Sequence, residues 1–403
     1  MADTPESLSE EFSTFSTYTK TPAQALDLIE RARTKCPVPH SKELGGFHIY
    51  MNYEDVRRGL MDWKTYANGP SVLRPYIEGS PVFPPLSMDP PEHTPWRKVF
   101  SDGVNIRTAD RIGPAVRADA IELIEGFAEK GACDLHLDLA EQVPMKAIFH
   151  ILGLPREHHE RVRSMTLNVL AHVNQPEQFA KLFQEFSEYG WSEVERRKSD
   201  PKEDYLTVLA DARFGDRHMT PFEVGAAVVS LLVAGHGTTT AALTNLLYEV
   251  LRRPQLKQRL IEDPALIPKA VEEGLRLHHP FFGLFRKATE DVEAHGAHIK
   301  KGDTVYMCWQ AANRDPAVVD KPLDFDIDRP EFQHLGFGLG KHSCVGAPTA
   351  RMEMRVVMEE LLARLPDIEL AEPEKVKWDF HGAETLGILH LPAKFASRPR
   401  RAS

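Results

Sequence analysis

Between about residues 108 and 280, apolar residues recur at three- and four-residue intervals, and this spacing predicts helices. The pattern is plainest in "AVRADAIELIEGFAEK" (115–130) and "AVEEGLRL" (270–277), where an apolar stripe runs between charged positions. Strand-like pieces flank this region at "GGFHIYM" (45–51), "TVYMCWQAAN" (304–313) and "TLGILHLPA" (385–393). The proline-rich stretch "GSPVFPPLSMDPPEH" (79–93) excludes a regular helix or a central strand. Neither a repeat nor a low-complexity linker divides the chain. The expected architecture is one mainly α unit with minor β-sheets. Its β-richer part covers about 40–110, its helical core about 110–365 and a C-terminal hairpin about 375–395.

One helix stands apart. "TPFE" (220–223) places Thr220 at an N-cap, Pro221 at the first helical position and Glu223 where a capping box needs it. Apolar residues then continue to "LRRP" (251–254), where Pro254 stops the pattern. At ~1.5 Å per residue the rod is roughly 45 Å long, enough to cross a whole domain. Its middle, "AGHGTTT" (234–240), is made of poor helix formers, and threonine hydroxyls there can bond back to carbonyls and bend the rod. A weak centre in the longest helix needs a reason, and a packing notch of small residues is one.

Composition narrows the function. The 403 residues are 42% hydrophobic and 27% charged, with a net charge of −10 that argues against nucleic-acid binding. The polar start "MADTPESLSEEF" has no secretory pattern, and the longest apolar run, "AAVVSLLVAG" (226–235), is too short to span a bilayer, so a cytoplasmic protein is expected. Cys36, Cys133, Cys308 and Cys344 form no C-x-x-C pair, which argues against a zinc finger or redox dithiol and suits a reducing compartment.

Cys344 sits in "FGLGKHSCVG" (337–346), behind glycines and beside His342. A thiolate ligand suits iron, copper or zinc, but no neighbouring Cys or His completes a zinc set. Haem iron needs only one protein ligand, and cysteine is among its axial donors. The apolar helical pattern "VGAPTARMEMRVVMEELLARL" (345–365) follows, so helix-end amides are expected to lower the thiol's pKa. Gly338, Gly340 and Gly346 would let backbone pass close beneath a flat ring. His342 is placed to donate to a carboxylate, and haem carries two.

"FGLGKHSCVG" resembles, at every fixed place, the F-G-x-G-x-H-x-C-x-G signature of the cytochrome P-450 (haem-thiolate monooxygenase) family. The resemblance extends along nearly the whole chain. "EEGLR" holds the family's E-x-x-R pair as Glu273 and Arg276, with Arg329 of "PLDFDIDR" (322–329) completing a buried ion network. "HTPWR" supplies His93 and Arg97 as partners of haem propionates, and Arg286 fits a further propionate position; a solvated charged face is the plain alternative for the first pair. The layout, including "SMDPPEH" and "KKGD", is most similar to the soluble bacterial branch that includes the camphor hydroxylase, although the region around residue 81, "SPVF", shows no clear counterpart of that enzyme's phenolic anchor.

The resemblance implies the cytochrome P-450 fold, with haem b between the long central helix and the helix after the cysteine loop. Cys344 is then the proximal iron ligand, and Phe337, Gly338, His342 and Gly346 hold the macrocycle. "AGHGTTT" is similar to the oxygen-binding groove, with Thr238 serving bound dioxygen. The acid that normally precedes this threonine is replaced by Gly237. His236 is adjacent, yet consecutive helical residues point about 100° apart, so an imidazole relay and water chains through the space at Gly237 both stay open.

The resemblance implies a pocket drawn from Phe83, Leu86, Val233, Ala234, Thr238, Phe282, Leu284, Phe285, Thr385 and Leu386. Core packing is the plain alternative for any one phenylalanine. The set offers no carboxylate or amine anchor, so a small neutral hydrophobe, a terpenoid or simple aromatic, is expected to be hydroxylated or O-demethylated. The chain carries no Rossmann glycine motif or iron–sulfur cysteine set, so electrons are expected from outside it, and the resemblance implies a ferredoxin with its NAD(P)H-dependent reductase as their source. Lys98, Lys341, Arg351 and Arg355 offer a basic patch for such a partner, with an ordinary solvated face as the alternative. A monomer is expected. A peroxide-driven enzyme and a non-catalytic haem ligand-binding protein are the competing readings. Thr238 argues against the first and Gly237 favours the second.

Overall fold

Three helices of the chain begin in the same way. Thr4, Thr21 and Thr220 each precede a proline, and each forms a reciprocal capping box with the third helical residue, Ser7, Gln24 or Glu223. The computed structural model describes residues 3–69, 82–172, 175–381 and 384–399. Residues 79–81 of the proline-rich stretch and 400–403 of the tail therefore lie outside the described residues. The rest of the proline-rich stretch, up to Glu92, contains neither helix nor strand.

Helices dominate, and the largest apolar core forms around the rod Pro221–Leu251. Within the rod, the hydroxyls of Thr238, Thr240 and Thr244 donate to the carbonyls of Ala234, His236 and Thr240 at 2.8–3.0 Å. The predicted weak centre is thus present as back-bonding, while the helix runs unbroken through it. By length and composition the rod is apolar enough to cross a membrane, but most of it is packed inside the protein. Pro254 does not merely stop the rod; it opens the next helix, Pro254–Glu262.

Against the rod pack Gln142–Leu152, Pro176–Ser199 and Ala347–Arg364. The helix predicted over 115–130 begins earlier, at Ile106, because Asn105 Oδ1 accepts the amides of Arg107 and Thr108. That predicted over 270–277 spans Ile267–Leu277.

The largest sheet has five strands, in the order His40–Ser41, Phe47–Tyr50, Thr304–Met307, Leu284–Ala288 and Tyr66–Ala67. Phe47–Tyr50 and Thr304–Met307 are parallel; the other neighbours are antiparallel. A hairpin, Trp378–His381 with Thr385–Ile388, projects toward the rod. A second apolar core joins this hairpin and the sheet to the helices Pro5–Phe12 and Pro22–Ala32. These two N-terminal helices are absent from the sequence reading, although each carries the Thr-Pro signal that revealed the rod.

Glu273 and Arg276 are both buried on one face of Ile267–Leu277 and form a two-pronged ion pair at 2.7 Å. Arg276 also donates to the carbonyls of Asn313, Pro322 and Asp324. Arg329 reaches Glu273 at 3.4 Å and donates to the carbonyls of Asp320, Lys321 and Asp324. The three side chains thus pin the 313–329 segment to the helical core.

Candidate active site

The loop before Ala347–Arg364 folds back on itself, with the Cys344 amide donating to the Phe337 carbonyl at 2.7 Å. Gly338 and Gly340 adopt φ of +63° and +67°, the left-handed region that favours glycine. A Cβ at Gly346 would lie 3.8 Å from Cys344 Sγ, an ordinary contact. Backbone conformation, more than close approach to a ring, accounts for the first two glycines.

Cys344 opens onto a cavity of about 350 Å³ between the rod and this loop. Its accessible surface lines that cavity, and desolvation pushes the thiol's pKa up. The amides of Gly346 and Ala347 and the guanidinium of Arg97 oppose that shift without overcoming it. The expected net lowering by the helix end is therefore corrected: desolvation outweighs the dipole in the protein alone.

Arg97, Arg286 and His342 line the same cavity. Arg286 is buried and its pKa is pushed down to about 10 by desolvation; burial also lowers that of Arg97. Among the described residues neither guanidinium has a carboxylate within 4 Å; Arg286 donates only to the Phe285 carbonyl. His342 leans toward Asp89 at 3.6 Å, while Asp89 accepts the amides of Asn68 and Gly69. His93 does not reach the cavity wall. It is buried behind His342, their rings 4.5 Å apart, and burial pushes its pKa down to about 4.

On the opposite wall stand Val233, Ala234, Gly237 and Thr238 of the rod. Thr238 has one proton to donate and spends it on the Ala234 carbonyl, which leaves its lone pairs as acceptors. A Cβ at Gly237 would meet nothing within 4 Å. His236 departs from the expected relay position. It is buried on the far side of the rod, where Nε2 lies 3.1 Å from the Glu141 carbonyl, and burial lowers its pKa.

The remaining wall holds Phe83, Leu86, Leu284 and Thr385 from the expected set. Phe282, Phe285 and Leu386 are corrected: all three belong to the second apolar core, on the other side of the sheet and hairpin. The reason is strand alternation. Leu284 and Arg286 face the cavity, so Phe285 between them faces away, and Leu386 faces away from Thr385 in the same manner. Phe281, Ile148, Ile151 and Leu170 also line the cavity and were not foreseen. The period of two could have excluded Phe285; nothing local singles out the helix residues 148, 151 and 170.

Glu353 is the other unforeseen group. It lies nine residues after Cys344, on the cavity wall and buried, with Oε2 lacking a partner among the described residues, and desolvation pushes its pKa up to about 8.

The cytochrome P-450 family model matches residues 168–391, more than half of the chain. A mycinamicin IV hydroxylase/epoxidase from Micromonospora griseorubida is 36% identical over 355 residues, covering 85% of this chain and 88% of its own. Among solved structures, CYP108D1 from Novosphingobium aromaticivorans superposes with a TM-score of 0.86 at 25% identity over 99% of both chains. CYP101J2 does so with a TM-score of 0.84 at 25% identity, covering 95% of this chain and 96% of its own. The family match, the length of the shared alignment and the common fold together establish that this chain belongs to the cytochrome P-450 family of haem-binding, cysteine-ligated oxidoreductases.

Proposed function

We propose that the protein is a monooxygenase that hydroxylates, or O-demethylates, a small neutral hydrophobic substrate, with a terpenoid or simple aromatic the best match to its pocket. The observation that carries this reading is one cavity lined by a thiol and by two guanidiniums that have no carboxylate partner among the described residues. Such a wall fits a flat metal macrocycle bearing two carboxylates. Bound there, haem supplies dioxygen activation, so that RH, O2, two electrons and two protons give ROH and water.

The chain's own residues divide the remaining work. Cys344 holds the iron. Arg97, Arg286 and His342 receive the carboxylates, and ion pairing offsets the desolvation that lowers both arginine pKa values. Thr238 presents a hydroxyl opposite, and the open space at Gly237 admits water where relatives of the signature carry an acid. Phe83, Leu86, Phe281, Leu284 and Val233 give the substrate an apolar enclosure, with the hydroxyls of Thr238 and Thr385 also on its wall. Electrons arrive from a ferredoxin and its NAD(P)H-dependent reductase. A cytoplasmic setting agrees with four free cysteines.

Haem-loaded protein, a surrogate ferredoxin with its reductase, and a panel of terpenoids and aromatics test the reading. NAD(P)H-dependent product together with a thiolate-type absorption band of the reduced carbon monoxide complex is expected. Product from peroxide alone would favour the peroxide-driven alternative, and neither activity would leave a ligand-binding protein.

A further inference from the structure

Glu384 is a buried acid in an unusual backbone conformation, one residue from the cavity wall. Its φ is +65°, in the left-handed region where a residue with a Cβ is strained by about 1 kcal/mol or more. Its carboxyl is almost wholly removed from solvent. Two costs at one residue need a compensating contact, and two are present. Thr17 Oγ1 donates to Oε1 and Tyr306 Oη donates to Oε2, both at 2.7 Å. The donors come from the segment after the first helix and from the middle of the five-stranded sheet, and neither lines the cavity.

The backbone of Glu384 completes the connection. Its carbonyl accepts the Phe282 amide at 3.0 Å, and the adjoining residues Phe281 and Thr385 pair as an isolated β-bridge. Phe281 and Thr385 are both on the cavity wall. From the other side, Asn245 of the rod donates to the Leu386 carbonyl at 3.2 Å. The cavity roof is thus held between the rod and the Glu384 carboxylate.

We propose that Glu384 is a positioning residue for the substrate pocket, tying the roof at Thr385 and Phe281 to the N-terminal segment at Thr17 and to the sheet at Tyr306. The inference rests on the cavity being the substrate site. It makes residues remote from the cavity, Thr17 above all, determinants of how tightly an apolar ring is held beneath the roof.

The test uses the haem-loaded full chain and two azole probes, 4-phenylimidazole and imidazole, whose binding shifts the haem absorption band. Thr17→Val and Tyr306→Phe each remove one donor without touching the turn. Glu384→Asn tolerates the left-handed conformation but is too short to reach the donors, and Glu384→Gln restores the length. Affinity for 4-phenylimidazole should fall by about threefold to tenfold in the first three variants and recover in part in Glu384→Gln, while imidazole, which lacks the ring, binds as in the parent. Amide hydrogen exchange at Phe282 and Leu386 should rise in the same three. Unchanged 4-phenylimidazole affinity and unchanged exchange in Thr17→Val and Glu384→Asn would overturn the proposal, as would an equal loss for both azoles. If the parent itself shows no azole shift, the haem reading fails. The exchange comparison needs no cofactor and still decides the tether.

Discussion

At the scale of single residues, Cys344, Glu353 and His236 make separate predictions. Cys344→Ser keeps a ligand of similar size but not the soft thiolate, so the thiolate-type carbon monoxide band should vanish even where haem is retained. Glu353 carries a native pKa raised to about 8 against an ordinary 4.5. The native state therefore holds a proton that the unfolded chain gives up, and stability falls as pH rises from about 4.5 to about 8, then levels. Glu353→Gln removes the titration and should flatten this slope, gaining a few kcal/mol at most over the parent at pH 8. Thermal midpoints of both proteins across that range measure it; parallel curves would refute the assignment. His236 faces the Glu141 carbonyl and not the cavity. His236→Ala should lower the melting temperature through a lost hydrogen bond and a cavity. Product formed per NADH and the solvent isotope effect should not change, and a clear change in either would restore the imidazole to the proton route.

At the scale of elements, legibility followed how local the signal was. The rod was readable because its cap, period and stop all lie within its own sequence, and the cysteine loop because its signature is contiguous. The N-terminal helices carried an equally local Thr-Pro cap and were readable in principle. The pocket was read only in part. Its walls come from the rod, the sheet, the hairpin and Gln142–Leu152, and which face of each element meets the cavity is set by packing. Phe285 and Leu386 show the consequence, since each sits one residue from a true wall position and points into the other core. The Glu273–Arg276–Arg329 network gives the prediction at this scale. Glu273→Ala leaves Arg276 buried without its anion, which should cost about 3–5 kcal/mol and reduce the yield of haem-loaded protein. Arg329→Ala should cost less, because its single contact to Glu273 is 3.4 Å long and Arg276 remains as the two-pronged partner. Equal losses in the two variants would show that Arg329 anchors the segment as strongly as the helix pair does.

At the scale of the whole molecule, charge governs the meeting with an electron donor. The four cations expected to form a basic patch are not equivalent. Lys98 pairs with Asp102 at 2.6 Å, Arg351 with Glu272 at 2.6 Å and Arg355 with Glu359 at 2.9 Å. Only Lys341 among them is exposed with no ion-pair partner among the described residues. The patch therefore offers about one net positive charge, on a chain whose total is −10. On the proposed function, an acidic ferredoxin would meet long-range repulsion and short-range attraction, and salt screens the two differently. At 0.01 M the Debye length is about 30 Å and the whole molecule repels; near 0.15 M it is about 8 Å and the contact region decides; well above that the local attraction fades too. The parent's electron-transfer rate should therefore pass through a maximum at intermediate ionic strength. Lys341→Glu replaces the attraction with repulsion, so its rate should be about tenfold lower at low salt and rise steadily toward the parent's as salt increases. Stopped-flow reduction by ferredoxin over a salt series distinguishes the two curves. A parent rate that only falls with salt would mean that the acidic total exerts no force on the approach and that attraction from a broader basic face leads it.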